Sequence, residues 1–235
     1  MATTRRTTTA KKRARKPRSK PRVVTVLAAM RRALYGAKLP SVSEIARRDR
    51  DPFRILISTL LSLRTKDDVT DAASERLFAI AADAKALARL EVERIEKAIY
   101  PVGFYRTKAR TIREVARRLE AEFGGMVPNT MEALLGFKGV GRKTAALVVS
   151  LGFDTPAICV DTHVHRISNR LGWIRTRTPA QTEEALMKIV PRARWIDVNE
   201  IMVGFGQRVC TPLSPRCSIC PVSRSCKRVG VGKSR

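Results

Sequence analysis

Apolar residues recur every three or four positions along most of the chain. Between Tyr105 and Phe123 they form one stripe, with arginine and glutamate on the opposite face; the stripe consists of Ala109, Ile112, Val115, Ala116, Leu119 and Phe123. This spacing predicts an amphipathic α-helix. Evidence for strands is thin, because the stretch "RVVTVL" is short and no Asn-Gly or Asp-Gly turn is present. The pattern therefore predicts an all-α protein.

Capping residues mark where several helices start. Asp51-Pro52 precedes the apolar run "FRILISTLLSL", which places an N-cap residue and a proline at a helix start. Thr178 and Gln181 have the spacing of a capping box. Asp161 precedes "THVHRISNRL", and Gly172 follows this run as a C-terminal stop. We therefore expect helices that begin just after Asp51, Asp161 and Thr178.

Charge narrows the class of partner. The chain has 235 residues and a formal net charge of +26. A charge this large opposes compaction unless a polyanion binds, so nucleic acid is the leading partner. A ribosome-associated protein and a basic membrane-surface protein are the alternatives. No apolar run approaches the length of about 18 residues that a spanning helix needs, so we expect no membrane-spanning segment.

Residues 1–22 hold much of this charge. They contain ten lysines or arginines and no acidic or aromatic residue. Such a segment cannot bury apolar surface, so we expect a disordered basic tail that binds a polyanion. A targeting segment is the alternative, although the run lacks an apolar face. The tail supplies +10 of the total +26, so the other residues still carry +16 and the folded part is basic as well.

The stretch "GFKGVGRKTAALVV", residues 136–149, is close to a phosphate-binding P-loop but departs from it. In a P-loop the lysine directly follows the second glycine, and here Arg142 intervenes. The preceding "PNTMEALLGF" has helical spacing, whereas a P-loop follows a strand. The segment therefore indicates two helices joined by a Gly139-Val140-Gly141 turn. Its backbone N–H groups, flanked by Lys138 and Arg142, suit a DNA phosphate. An ordinary helix–helix connection is the alternative.

Four of the five cysteines are clustered near the C-terminus. Their spacing is Cys210-x6-Cys217-x2-Cys220-x5-Cys226. Four thiolates this close in sequence suit one tetrahedral metal ion or an iron–sulfur cluster. Zinc modules usually pair two C-x2-C units, and only one is present here. Zinc and disulfides are the alternatives to an iron–sulfur cluster. The absence of an apolar signal-peptide core indicates a reducing compartment. Cys159 lies outside the pattern, in an apolar run, and is expected to be a buried core thiol.

Together, these motifs resemble the endonuclease III family of DNA glycosylases. The runs "LLGFKGVGRKTA" and "VDTHVHR" resemble its helix-hairpin-helix and the loop that carries its catalytic aspartate. "ILISTLLSLRTKDDVT" and "YPVGFYRTKART" resemble its upstream helices, and the similarity extends from about residue 25 to 228. It implies a two-lobed, all-α fold. A six-helix lobe would span 45–154, and a cluster lobe would join 23–44 with 155–230. DNA would lie between the lobes.

The resemblance also implies roles for individual residues. Lys143 occupies the position of the family's nucleophile, and Asp161 matches its second catalytic residue. The four clustered cysteines match the spacing that the family uses for a [4Fe-4S] cluster. An unperturbed lysine has a pKa of about 10.4 and is protonated at neutral pH. To act as a nucleophile, Lys143 needs desolvation, a nearby cation such as Arg142, or the positive end of its helix to lower its pKa.

Further positions are expected to contact DNA. A glycosylase rotates its target nucleotide out of the stack and fills the gap. The family's filling residues, a glutamine and an aliphatic side chain, are replaced here by Arg64 and Phe104. The alternatives are that Arg64 makes only a surface contact to a phosphate and that Phe104 is a core aromatic. Lys138 replaces the proline usual in the hairpin. Arg216, in the first loop of the cysteine motif, is expected to bind phosphate.

The resemblance thus predicts a base excision repair enzyme. It would be a bifunctional glycosylase and abasic-site lyase that acts on oxidised pyrimidines in duplex DNA through a lysine Schiff base and β-elimination. We expect a monomer in the compartment that holds the DNA: the bacterial cytoplasm and nucleoid, or a eukaryotic nucleus or mitochondrion. A monofunctional, mismatch-directed glycosylase and a non-enzymatic iron–sulfur DNA-binding protein are the alternatives. Lys143 favours the bifunctional enzyme over the first alternative, and its pairing with Asp161 disfavours the second.

Overall fold

The structure is a computed structural model that describes residues 23–235, so the predicted basic tail lies outside the described residues. Twelve α-helices and two short 3-10 helices account for its regular structure, and no β-strand occurs within this range. The helices are α1 Val23–Arg32, α2 Ser41–Asp49, α3 Pro52–Ser62, α4 Asp67–Ile80, α5 Ala84–Arg89, α6 Val92–Ile99, α7 Tyr105–Phe123, α8 Met131–Leu135, α9 Arg142–Phe153, α10 Thr162–Leu171, α11 Pro179–Ile189 and α12 Trp195–Arg208. The prediction of an all-α protein is confirmed.

Local sequence accounts for several of these boundaries. The Asp51 carboxylate accepts from the Phe53 amide at 2.8 Å, which starts α3 as predicted. Thr178 Oγ1 accepts from the Gln181 amide at 3.3 Å at the start of α11. Gln181 Oε1 accepts from the amide of Arg177. In a regular capping box the donor would be the amide of the N-cap residue itself, here Thr178. The predicted helix starts are therefore confirmed, with a shifted return bond at α11.

Val23–Leu27, the described part of the stretch "RVVTVL", is helical. It lies in α1, which buries Val26, Leu27 and Met30 against α12. The β-branched residues in this stretch favour a strand, but only weakly. Burial of one face against another helix outweighs that preference, so the tertiary contact decides the conformation here.

The larger hydrophobic core surrounds α3. Ile55, Leu56 and Ile57 at successive positions are fully buried, because α3 is covered by α2, α4, α7 and α9. On α7 the predicted stripe is buried from Ala109 to Leu119, and Phe123 packs against Phe137 with ring centroids 5.5 Å apart. This explains why α3 is apolar over most of its surface while α7 is amphipathic.

A second core lies between α10 and α12, with α1 and α11 at its edges. Val164, Met202 and Phe205 are almost completely buried in it, and Cys210, Cys220 and Cys226 pack at its margin. The first core includes residues from Val42 to Cys159. The lobe boundaries at 44/45 and 154/155 stay a prediction.

Polar contacts join the helices of the two cores. Gln207 Nε2 donates to Asp67 Oδ2 at 3.1 Å, and Lys38 Nζ donates to Asp71 Oδ2 at 2.7 Å. Deeper in the molecule, Asn199 Nδ2 donates to the Cys159 carbonyl at 3.2 Å. The Gln207 and Asn199 contacts tie α12 to α4 and to the segment that leads to Asp161. The Lys38 contact ties the loop after α1 to α4. Within residues 23–235, every helix is too short or too polar to span a membrane.

Candidate active site and cysteine-lined site

A tight turn joins α8 to α9, and it requires glycine. Gly139 has a φ of +83°, and a Cβ there would lie 2.8 Å from Thr111 Cγ2. The Val140 amide donates to the Phe137 carbonyl at 3.1 Å, and the Val140 side chain is buried, which closes the turn from within. A helix precedes the turn, so the segment is a helix-hairpin-helix and the P-loop interpretation is excluded.

Within residues 23–235, no side chain caps the start of α9. Its N-cap residue is Gly141, and no side chain of this range accepts from the first amides of the helix. Those N–H groups, together with the positive end of the helix, form a site suited to an anion. Lys138 and Arg142 are exposed on either side of the turn, and Lys143 is half-buried in the first turn of α9.

Asp161 starts α10 and still has a free oxygen. Its Oδ1 accepts from the amides of His163 at 2.9 Å and Val164 at 2.8 Å. Among the described residues, no hydrogen bond goes to Oδ2. One carboxylate oxygen therefore holds the helix start while the other can interact with a bound molecule.

Lys143 and Asp161 line the same cavity, which has a volume of about 460 Å³. The start of α9, the segment before α10 and the start of α11 form its walls: Arg142, Lys143, Ile158, Val160, Asp161, Thr162, Pro179, Ala180 and Glu183. An amine and a carboxylate thus face one space whose walls are mostly apolar. Low polarity there strengthens their interaction with any charge that develops on a bound molecule.

Glu183, on α11, was not found from the sequence. Its Oε1 and Oε2 accept from Arg142 Nη2 at 2.7 Å and Arg142 Nε at 3.0 Å, and only 13% of the glutamate side chain is exposed. This bidentate contact raises the pKa of Arg142. Glu183 balances the charge of Arg142, so Arg142 is not the uncompensated cation expected beside Lys143. The two residues are 41 positions apart, and no local pattern reveals the pair.

Arg64 and Phe104 lie side by side, on the loops before α4 and α7. Phe104 is 64% exposed, so the alternative that it is a core aromatic is wrong. The Arg64 guanidinium carbon lies 5.7 Å from the centre of the Phe104 ring, within cation–π distance. Both residues have positive φ angles, 55° and 60°. They form one exposed pair, outside the cavity that Lys143 and Asp161 share.

The four clustered cysteines surround one small cavity of about 30 Å³. All are free thiols, so the disulfide alternative is wrong for this structure. The buried Arg170 side chain on α10 organises the first loop by donating to the Thr211 carbonyl at 2.7 Å and to the Pro212 carbonyl. Arg166 donates to the Cys210 carbonyl at 2.9 Å. Arg216, on the same loop, is exposed.

The chemistry of these thiols fits an iron–sulfur cluster. Four cysteine thiolates are the ligand set of a [4Fe-4S] cluster, in which each binds a different iron. Within residues 23–235 no group of three Cys, His, Asp or Glu side chains is arranged to hold a single metal ion. Burial raises the pKa values of Cys220 and Cys226, and the Arg228 amide donates to Cys226 Sγ at 3.3 Å. Ligation by iron would offset the cost of ionising them.

Comparison with known proteins places the chain in a family. Residues 57–192 match the HhH-GPD superfamily of base excision DNA repair proteins. An endonuclease III from Thermotoga maritima is 48% identical over 191 residues, which cover 80% of this chain and 90% of that protein. The chain belongs to the endonuclease III family. The family membership that the sequence motifs predicted is therefore confirmed.

Solved structures agree with this membership of the endonuclease III family. A trapped covalent intermediate of an endonuclease III with DNA matches with a TM-score of 0.79 and 34% identity, covering 88% of this chain and 94% of that one. A thermostable thymine-DNA glycosylase matches with a TM-score of 0.76 and 26% identity, covering 87% and 95%. Both share their overall fold with this chain.

Proposed function

We propose that this endonuclease III family member is a base excision repair enzyme, a DNA glycosylase with abasic-site lyase activity. The observation that carries the proposal is the shared cavity of Lys143 and Asp161, next to an uncapped hairpin helix. Its 48% identity to an endonuclease III over most of both chains supports the same activity. Oxidised pyrimidines in duplex DNA are the proposed substrates, and the protein is proposed to act as a monomer wherever the DNA is held.

The hairpin is the proposed point of contact with the DNA backbone. The free amides at the start of α9 can donate to a phosphate, and Lys138 beside the turn adds positive charge. Such contacts fix the register of the duplex without reading its sequence. They would place a flipped nucleotide near the cavity, because Lys143 is in the first turn of the same helix.

The proposed reaction begins with attack on the sugar. The neutral amine of Lys143 forms a bond to C1′ of the nucleotide, and the bond from C1′ to the base breaks, so that the base leaves and takes up a proton. Asp161 Oδ2 is the proposed group that stabilises the positive charge on the sugar. The nitrogen then loses a proton. The bond from C1′ to the ring oxygen breaks and that oxygen takes up a proton, which opens the ring and leaves a protonated imine between Lys143 and C1′.

Strand cleavage follows from this imine. Its protonated form makes the C2′ proton acidic, and removal of that proton expels the 3′ phosphate by β-elimination. Water then hydrolyses the imine and releases Lys143. Only an amine nucleophile allows this second half of the reaction, so Lys143 favours the bifunctional enzyme over a monofunctional one.

The four cysteines are proposed to hold a [4Fe-4S] cluster. Cys210, Cys217, Cys220 and Cys226 line one cavity as free thiols, and Arg170 holds the intervening loop. When bound, the cluster supplies a cross-link that folds the last 26 residues onto α10 and α12 (Cys210 to Arg235). Arg216 on this loop is the proposed phosphate contact.

Borohydride trapping tests the proposal. Reduction of the imine should link the wild-type protein covalently to a duplex that contains an oxidised pyrimidine or an abasic site, and Lys143→Ala should abolish the adduct. Lys97→Ala, an exposed lysine on α6 outside the cavity, is the matched control and should leave trapping unchanged. An adduct that persists in Lys143→Ala would refute the assignment of the nucleophile. Base release without strand cleavage by the wild type would favour the monofunctional alternative.

A further inference from the structure

Two loops that carry exposed side chains meet at the surface of the first core. One, between α3 and α4, carries Arg64; the other, between α6 and α7, carries Phe104. Both residues adopt the left-handed region, which residues other than glycine rarely occupy. Such conformations persist only where the surrounding structure holds them. The contacts that hold this pair therefore bear on what it does.

Lys108, on α7, reaches across to the first loop. Its Nζ donates to the carbonyls of Leu61 at 2.7 Å and Leu63 at 2.5 Å, and to Thr65 Oγ1 at 3.1 Å. The three protons of an ammonium thus match three acceptors. The two carbonyls are at the end of α3, where backbone acceptors lack helical partners. Lys108 therefore fixes the loop on both sides of Arg64.

Thr65 and Gly103 connect this loop to the second one. The Gly103 amide donates to Thr65 Oγ1 at 3.2 Å, so one hydroxyl accepts from both Lys108 and Gly103. The backbones are in direct contact, because a Cβ on Gly103 would lie 2.6 Å from the Arg64 carbonyl oxygen. We call Lys108, Thr65 and Gly103 the loop clamp. It ties the base of one loop to the base of the other.

The ammonium in this clamp is half-buried, and its charge is not offset by a carboxylate. Burial lowers the pKa of Lys108 to about 8. Within residues 23–235 no salt bridge involves Lys108. Burying an unpaired charge is unfavourable unless its hydrogen bonds are satisfied. The three acceptors satisfy them here, so the clamp is an ordered element and not an incidental surface contact.

We infer that Lys108 is a positioning residue that makes Arg64 and Phe104 enter duplex DNA as one unit. The inference rests on the proposed function, in which these two side chains fill the space left by the flipped nucleotide. Lys108 is not part of the cavity of Lys143 and Asp161. Its effect is therefore on opening the duplex and not on the reaction at the sugar.

Because Lys108 is inferred to act on the opening of the duplex and not on the reaction at the sugar, its loss should affect activity on paired and single-stranded substrates differently. Removing a paired base from the stack costs unstacking energy, and the cost is smallest for a single strand. A protein with a loosened loop clamp should therefore lose activity on a lesion paired in a duplex. It should keep its activity on an abasic site in a single-stranded oligonucleotide, which needs Lys143 but no opening of a duplex.

The test compares two single-turnover rates on one protein preparation, so the fraction of folded protein cancels in their ratio. The substrates are an oxidised pyrimidine paired in a duplex and an abasic site in a single strand. Lys108→Met removes the donors and keeps the chain length, and Thr65→Val removes the shared hydroxyl. Lys97→Met is the matched control. We expect the duplex-to-single-strand ratio to fall about tenfold in Lys108→Met, as for loss of a charge-assisted hydrogen bond, and less in Thr65→Val.

A fluorescence measurement follows insertion directly. With 2-aminopurine opposite an abasic site and Lys143→Ala to prevent reaction, binding should raise the fluorescence as the opposite base loses its stacking. Adding Lys108→Met should reduce that rise at saturating protein. An unchanged ratio and an unchanged fluorescence rise, or equal losses on both substrates, would overturn the inference. A wild-type protein without activity on either substrate would instead refute the proposed function.

Discussion

Asp161 offers a way to separate catalysis from helix capping. Its Oδ1 accepts from the amides of His163 and Val164, at 2.9 and 2.8 Å, while Oδ2 accepts no hydrogen bond from the part of the chain that the structure describes. Replacing Asp161 by asparagine keeps an acceptor of the same shape and removes the charge. Replacing it by alanine removes both.

The structure sets the size of each effect. Asparagine is about as good an N-cap as aspartate, so Asp161→Asn should change the free energy of unfolding by only a few tenths of a kcal/mol, mainly through the lost charge at the helix start. Asp161→Ala leaves two amides without their acceptor and should lower stability by about 1 kcal/mol, up to about 2. Both variants should lose most of the base-release activity, because neither can stabilise positive charge at the sugar.

Urea unfolding gives the stability of each variant, and single-turnover base release gives its activity. Asp83 is the matched control, because it caps α5 by accepting from the Ala86 amide at 2.7 Å and is exposed away from the cavity. Asp83→Ala should lose similar stability and keep full activity. If Asp161→Asn keeps wild-type activity while Asp161→Ala loses it, Asp161 acts only as a cap and the assigned chemical role is refuted.

Four further outcomes are expected. The pKa of Lys108 is about 8 in the folded protein, below its ordinary value of 10.5, so the unfolded chain binds more protons between these two pH values. The wild type should therefore gain stability relative to Lys108→Met as the pH rises from 8 to 10.5, which urea unfolding at each pH measures. Gly103→Ala should lower stability by about 1–3 kcal/mol in thermal unfolding, because its Cβ would meet the neighbouring carbonyl. Glu183→Gln should steepen the salt dependence of DNA binding by about 0.9 in log–log slope, because it frees Arg142 to reach a phosphate. Arg170→Met should speed the loss of visible iron–sulfur absorption in the presence of a chelator, because two loop carbonyls lose their donor. If a variant gave the same result as the wild type in its measurement, the role assigned to the corresponding contact would be contradicted.

Local interactions made much of this protein predictable from its sequence. Asp51, Asp161 and Thr178 mark helix starts because a capping side chain bonds amides only two or three residues away. The stripe of α7 and the glycine turn before α9 are likewise short-range patterns. The all-α class and the family resemblance follow from such features. The structure confirmed the first, and the comparisons confirmed the second.

The tertiary structure alone decided which side chains meet across the chain. Glu183 neutralises Arg142 from 41 residues away, and Lys108 binds a carbonyl 47 residues away. It also decided that α1 is helical, because burial against α12 outweighs a weak strand preference. The physical reason is the distance along the sequence between the interacting residues. Caps and periodicity depend on neighbours within one or two turns, whereas the charge balance beside Lys143 and the support of Arg64 depend on distant segments brought together by the packing of two cores.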